Sequence, residues 1–105
     1  MRVSEGSGNV FADIGIEQPE EYLAKAELAR QIVGALDARR LTQTGAARIL
    51  GVSQPKVSAL RNGRLEGFSA ERLIRFLDVL GRDVRIIVSE KPRSRRRARV
   101  TVMAA

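Results

Sequence analysis

The stretch that decides the fold runs Leu41-Thr42-Gln43-Thr44-Gly45-Ala46-Ala47-Arg48-Ile49-Leu50-Gly51-Val52-Ser53-Gln54-Pro55-Lys56-Val57-Ser58-Ala59-Leu60-Arg61-Asn62-Gly63. Thr42 suits an N-cap, because its hydroxyl can accept a backbone N–H that the first helical turn leaves unpaired. Ala46, Ala47 and Leu50 follow at helical spacing, and Gly51 supplies the left-handed residue that ends a helix. Ser53 is placed to cap a second helix two residues later, and Gly63 to stop it. The reading is therefore two short helices joined by Gly51-Val52-Ser53. Ala47 is small enough for close approach, and Val52 points back toward a core.

Two short helices with so tight a turn are what a helix-turn-helix requires. Gln54, Lys56, Ser58, Arg61 and Asn62 then fall on the outer face of the second helix. Glutamine can pair bidentately with adenine and lysine can donate to guanine in a major groove, so Gln54 and Lys56 are the expected base readers. Gln43 and Ser53 sit at helix N-termini, where side-chain and backbone donors can hold phosphate. Pro55 belongs to the same face, and Arg64 beyond it is expected on phosphate.

Outward from this core, Pro19, Glu20 and Glu21 suit the start of a long helix. Its stripe is expected through Tyr22, Ala26, Ala29, Val33 and Leu36, widened by Leu28 and Ile32, with Arg39 and Arg40 complementing its C-terminal dipole. Ser69 opens a further helix with Leu73, Ile74, Phe76, Leu77 and Leu80 inward, nearly buried all round, and Gly81 ends it. Val84-Arg85-Ile86-Ile87-Val88 is β-branched and reads as a strand. Its partner is either Val100-Thr101-Val102, in a hairpin, or the same strand of a second subunit.

The expected fold is thus mainly α, a helix-turn-helix bundle of four to five helices with a short C-terminal β-strand or hairpin. Residues 1–17 are read as an arm, 18–82 as the DNA-binding domain, and 83–105 as C-terminal strand or strands with an Arg-rich segment.

Composition narrows the function. The chain has 105 residues and a net charge of +7, with no cysteine and no histidine. Disulfides, thiolate metal sites and the commonest general base are absent together, so neither an enzyme nor a cofactor is expected. No apolar run approaches the ~20 residues of a membrane span, and no secretion signal opens the chain, so a cytoplasmic protein is the expectation. Charge is divided unevenly. Residues 1–37 hold three Lys/Arg against seven Asp/Glu, a net −4, whereas residues 38–105 hold sixteen against five, a net +11. Six of those cations lie within Lys91–Arg99. Arg93, Arg95, Arg96 and Arg97 are expected to stay extended until they meet a DNA backbone. With one Tyr, three Phe and no Trp, a stacking platform for single strands is hard to assemble, which favours duplex DNA over RNA.

Leu41-Thr42-Gln43, Ala47, Leu50-Gly51-Val52-Ser53, Val57-Ser58 and Asn62-Gly63 resemble the repressor-type helix-turn-helix of the lambda-repressor and Cro superfamily, often called the XRE family. The resemblance covers about residues 41–81. Arg61 stands where many members carry Glu, so it departs from their internal ion pair and is expected on phosphate. A narrower resemblance is carried by Ser7-Gly8-Asn9-Val10-Phe11-Ala12-Asp13, Gln54-Pro55-Lys56-Val57-Ser58, Gly67-Phe68-Ser69 with Glu71-Arg72-Leu73, and the Arg-Arg-Arg-Ala-Arg stretch. These are similar to the small HigA-type antitoxins. That resemblance implies a homodimer that represses its own operon and neutralises a small, basic RNase-type toxin. Val10, Phe11 and Ile14 are then candidate toxin contacts, or they pack on the chain's own core or on a dimer partner. A stand-alone repressor of the phage or stress-response kind is the other reading.

Overall fold

The computed structural model describes residues 18–105. Among them four helices follow one another: α1 (Gln18–Ala38), α2 (Gln43–Leu50), α3 (Gln54–Arg61) and α4 (Ala70–Val79). The arm at 1–17, with Val10, Phe11 and Ile14, lies outside the described residues.

Glu20 and Glu21 occupy the first turn of α1, where the helix dipole favours anions. Its buried face is Ala24, Leu28, Ala29, Ile32, Ala35 and Leu36. This is a rotated version of the expected stripe: Tyr22 is half exposed, and Ala26 and Val33 are only partly covered. Leu28 and Ile32 take the centre, while Tyr22 stays at the rim and donates its hydroxyl to the Gly63 carbonyl at 3.1 Å.

All four helices end in the same way. Arg40, Gly51, Gly63 and Gly81 have φ of 54°, 69°, 71° and 76°. Each donates its N–H three residues back, and the next residue donates five back. The pairs are Arg40 to Asp37 with Leu41 to Leu36, Gly51 to Arg48 with Val52 to Ala47, Gly63 to Leu60 with Arg64 to Ala59, and Gly81 to Asp78 with Arg82 to Leu77. This double bond satisfies carbonyls that a helix end otherwise leaves open, and it needs a left-handed residue. Three of the four ends use glycine; α1 uses Arg40. Arg39, expected to serve the end of its own helix, instead donates to the Leu80 carbonyl at 3.0 Å, at the C-terminus of α4.

α1 packs chiefly on α4 and α2 on α3, with α1 also touching α3 and α2 touching α4. One core results: the α1 face, Ala46, Ala47 and Leu50 of α2, Val57 and Leu60 of α3, Leu65 and Phe68 of the loop, and Ala70, Leu73, Phe76, Leu77 and Leu80 of α4. Arg75, Asp78 and Val79 are exposed, so α4 is amphipathic rather than buried all round. None of the helices among the described residues is long and apolar enough to cross a membrane.

The C-terminal strand expected at Val84–Val88 does not form within the chain. Among the described residues there is no strand, and residues 81–90 are exposed. Val100 and Val102 pack partly against the core instead of pairing with that segment. They line a shallow groove with Glu20, Leu23 and Ala24 at the start of α1. Burial on α1 removes the expected intrachain partner for a ladder, and a strand with no ladder is not a strand. The basic run is also not fully extended. Arg95 donates its N–H to the Pro92 carbonyl at 3.1 Å, and the Lys91 ammonium donates to the Arg95 carbonyl at 2.9 Å.

The helix ends give a prediction of opposite signs. A left-handed L-residue costs about 1–2 kcal/mol, part of which glycine returns through its freer unfolded chain, about 0.4–1 kcal/mol. Arg40→Gly should therefore raise stability by about 0.5–1 kcal/mol, and Gly51→Ala, the reverse change, should lower it by about 0.5–1 kcal/mol. Urea unfolding of both variants checks the pair, and a destabilised Arg40→Gly chain would count against this account of the α1 end.

Candidate nucleic-acid interface

The turn between α2 and α3 positions everything on their outer face. Thr42 has the extended backbone of a cap (φ −71°, ψ 167°), and its hydroxyl accepts from Gly45 N–H at 3.0 Å. Gly51 then reverses the chain in the left-handed conformation (φ 69°, ψ 34°), and Val52 is drawn toward the core. Ser53 has cap backbone angles (φ −75°, ψ 160°), but its side chain makes no capping bond, unlike the expectation from sequence. Pro55 in the first turn of α3 explains why no intrahelical bond is lost there.

This turn brings the N-termini of both helices together. Gln43 donates its amide to the Gln54 carbonyl at 3.3 Å, and Gln54 donates its own to the Thr44 hydroxyl at 3.1 Å. Gln43, Thr44, Ser53, Gln54 and Pro55 are all exposed. Each glutamine uses one amide hydrogen in this clasp and retains an acceptor oxygen and a second hydrogen. The result is a neutral, amide-rich patch across two helix ends. Thr44 is not legible in the sequence as part of it. The only signal is its place two residues after the Thr42 cap.

Lys56 is not on that patch. It is half-buried, and its ammonium lies over the Phe68 ring, 5.1 Å from the centroid. Gly67 leaves the room: a Cβ there would stand 2.6 Å from Lys56 Nζ. The guanidinium of Arg72 lies 5.5 Å from both the Phe68 and Phe76 rings, which themselves meet edge to face at 6.1 Å. Two cations are thus held beside one buried aromatic ring, and cation–π attraction gives each a defined place. Sequence reasoning misses Arg72 because its role depends on two aromatics, one on either side of it in the chain.

At the other end of α3 the expectations separate. Arg61 pairs with Asp37 of α1 at 3.0 Å, so its guanidinium is turned toward α1 with its charge opposed. Asn62 donates to the Ser58 carbonyl at 2.8 Å and to the Ser58 hydroxyl at 3.3 Å, which makes it a helix-ending residue and engages half-buried Ser58. Arg64 is exposed just after the turn. Arg93, Arg96 and Arg97 are exposed on the C-terminal segment, whereas Arg95 is half-buried and donates to the Arg97 carbonyl at 3.5 Å. Among the described residues there is no cluster of three or more acidic, histidine or cysteine side chains able to hold a metal.

A family model described as a helix-turn-helix domain matches residues 10–89. A solved structure named as an XRE family transcriptional regulator is similar over 85% of this chain and 100% of its own, at 50% identity and a TM-score of 0.77. None of the curated proteins matches the sequence.

Ring and ion pair differ in what they hold. Arg61→Ala removes a pair whose Asp37 partner is 60% exposed, so stability should fall by less than about 1 kcal/mol. Phe68→Ala empties a ring site that is 2% exposed and should cost about 3–5 kcal/mol. Chemical denaturation of the two variants side by side tests this ranking.

Proposed function

Because the chain belongs to the helix-turn-helix domain family and is of the XRE type, we propose that it is a sequence-specific transcriptional repressor that binds operator DNA as a homodimer. The observation that carries this reading is the clasp of Gln43, Thr44 and Gln54 at the joined helix N-termini. Gln54 is the base reader, since its remaining amide groups match the paired donor and acceptor of adenine in the major groove. Pro55 offers an apolar edge beside a thymine methyl. Gln43 and Ser53 hold phosphate with side-chain and backbone donors. Lys56 and Arg72, fixed on Phe68, and exposed Arg64 act on the backbone, so Lys56 supports affinity more than sequence choice. Two such units on a two-fold axis read half-sites about one turn apart, ~34 Å.

The finer reading makes this repressor the antitoxin of a type II pair. What supports it is the resemblance of Ser7–Asp13 and of the motifs in α3 and α4 to HigA-type antitoxins, together with the net −4 of residues 1–37, which suits a small basic toxin. Val10, Phe11 and Ile14 are its proposed contacts. Co-expression with the product of a neighbouring reading frame tests this: a stable complex lost on Phe11→Asp supports it, and no complex leaves the stand-alone repressor.

Fluorescence anisotropy on the chain's own upstream DNA tests repression at its base. Gln54→Ala should weaken operator binding by about 5- to 150-fold, the equivalent of about 1–3 kcal/mol, and leave unrelated duplex unchanged. Replacing Arg93, Arg95, Arg96 and Arg97 with alanine should flatten the salt dependence by about 0.9 for each phosphate that the chain no longer neutralises. Equal, weak binding of the wild type to every duplex would remove the repressor reading.

A further inference from the structure

The segment that should be a strand is left without a partner in this chain. No backbone hydrogen bond joins residues 83–90 to another described residue. Exposure climbs from 39% at Val84 through 63% at Ile86 to 90% at Val88, so the segment leaves its own domain and carries its apolar side chains into solvent. Four β-branched residues in five, with no backbone partner in this chain, leave both edges of the segment open to another strand.

We propose that residues 82–90 pair antiparallel with the same residues of a second copy, about a two-fold axis at Ile86. The inference deepens the homodimer of the preceding section by naming its interface and register. In a strand, side chains alternate between faces, so Val84, Ile86 and Val88 share one face and Asp83, Arg85, Ile87 and Ser89 the other. With the axis at Ile86, that residue lies opposite its own copy and Val84 lies opposite Val88. The apolar face of one strand meets the apolar face of its partner. Arg82 falls opposite Glu90 at both ends of the ribbon, two opposite-charge pairs related by symmetry.

Neighbouring registers lose this agreement. Moving the axis to Arg85 sets that cation opposite its own copy and Val88 opposite Arg82. Like charges directly opposite destabilise a pair, and an apolar side chain opposite a charge loses its packing partner. Placing the axis at Ile87 sets Val84 opposite Glu90. The Ile87 axis keeps Ile86 opposite Val88 and Asp83 opposite Lys91, but the Ile86 axis alone gives Val84, Ile86 and Val88 all an apolar partner, and a self-complementary patch is what a two-fold interface demands.

A two-stranded ribbon alone is marginal in water and needs a helix to pack on. The structure offers one at its root. Val84 lines a groove together with Ile74 and Asp78 of α4, so the apolar face of the ribbon begins beside a partly buried aliphatic side chain.

The test is sedimentation equilibrium of the full chain without DNA. The wild type should be a dimer, and Ile86→Lys should raise the dimer dissociation constant by about 30-fold or more. Ile86 is 63% exposed, so the variant should keep the helical circular dichroism of the wild type. Arg82→Glu should weaken the dimer by about 5- to 30-fold, and adding Glu90→Arg should recover it. The chain has no cysteine, so oxidation of Ile86→Cys should give a covalent dimer and oxidation of Ser89→Cys should not. A monomeric wild type, or an Ile86→Lys chain that stays dimeric, overturns the proposal. A monomer that still binds operator DNA would remove the ribbon alone, and a dimer of this register that binds no operator would remove the repressor reading alone.

Discussion

Gly51 holds a left-handed backbone between two helices of eight residues each. Helices that short are not stable in isolation, because one nucleating turn costs more than so few bonds return. Their mutual angle is therefore set by the turn and by what lies beneath it. Gly51 permits the reversal, the Val52 N–H closes it on the Ala47 carbonyl, and Val52 anchors it toward the core. Ala46 and Ala47 keep that side of α2 thin enough for α3 to lie close. Without this arrangement Gln43 would not reach the Gln54 carbonyl, nor Gln54 the Thr44 hydroxyl, and the outer patch would lose its shape. The fully buried Ile32, Leu36, Val57 and Leu73 then fix the pair against α1 and α4.

Much of this is legible in the sequence because it is local. Thr42, Gly51, Ser69 and Gly81 announce helix ends within a few residues of where they act, and the core of α4 follows from helical spacing alone. What the sequence conceals depends on partners far along the chain or outside it. The sequence does not show that the Lys56 ammonium lies over the ring of Phe68, twelve residues later. Arg61 reads as free until Asp37, on another helix, opposes it. Periodicity misphases the stripe of α1 because Tyr22 counts as apolar there but keeps a hydroxyl at the surface. Val84–Val88 has the composition of a strand, yet pairing is a property of two segments, and Val100 and Val102 gain more from α1. Ser53 shows the reverse: its backbone is that of a cap, but position does not oblige a hydroxyl to bond.

The cations of the domain fall into distinct electrostatic roles. Arg61 is opposed by Asp37, and Arg39 donates to the end of α4, so each has a partner on another helix. Lys56 and Arg72 are held on an aromatic ring, which offsets no formal charge. A ring attracts a cation through its quadrupole and leaves the long-range field of that cation intact. The surface beside α3 thus combines a neutral amide patch with positive charges whose positions are restricted before any ligand arrives. Less side-chain entropy remains to be lost on association than with freely moving lysines.

The return of the C-terminus to α1 has a mechanical consequence. Between Gly81 and Val100 the chain closes a loop that contains six cations in nine residues, Lys91–Arg99, and Val100 and Val102 close it by packing partly against the core. Mutual repulsion along that run pushes the loop open, while Val100 and Val102 hold it shut against Leu23 and Ala24. The loop behaves as a charged spring latched by a hydrophobic catch. Counterions, or a polyanion laid along the run, relax the spring without touching the catch. An apolar contact in this protein is therefore strengthened by the screening that weakens its ion pairs.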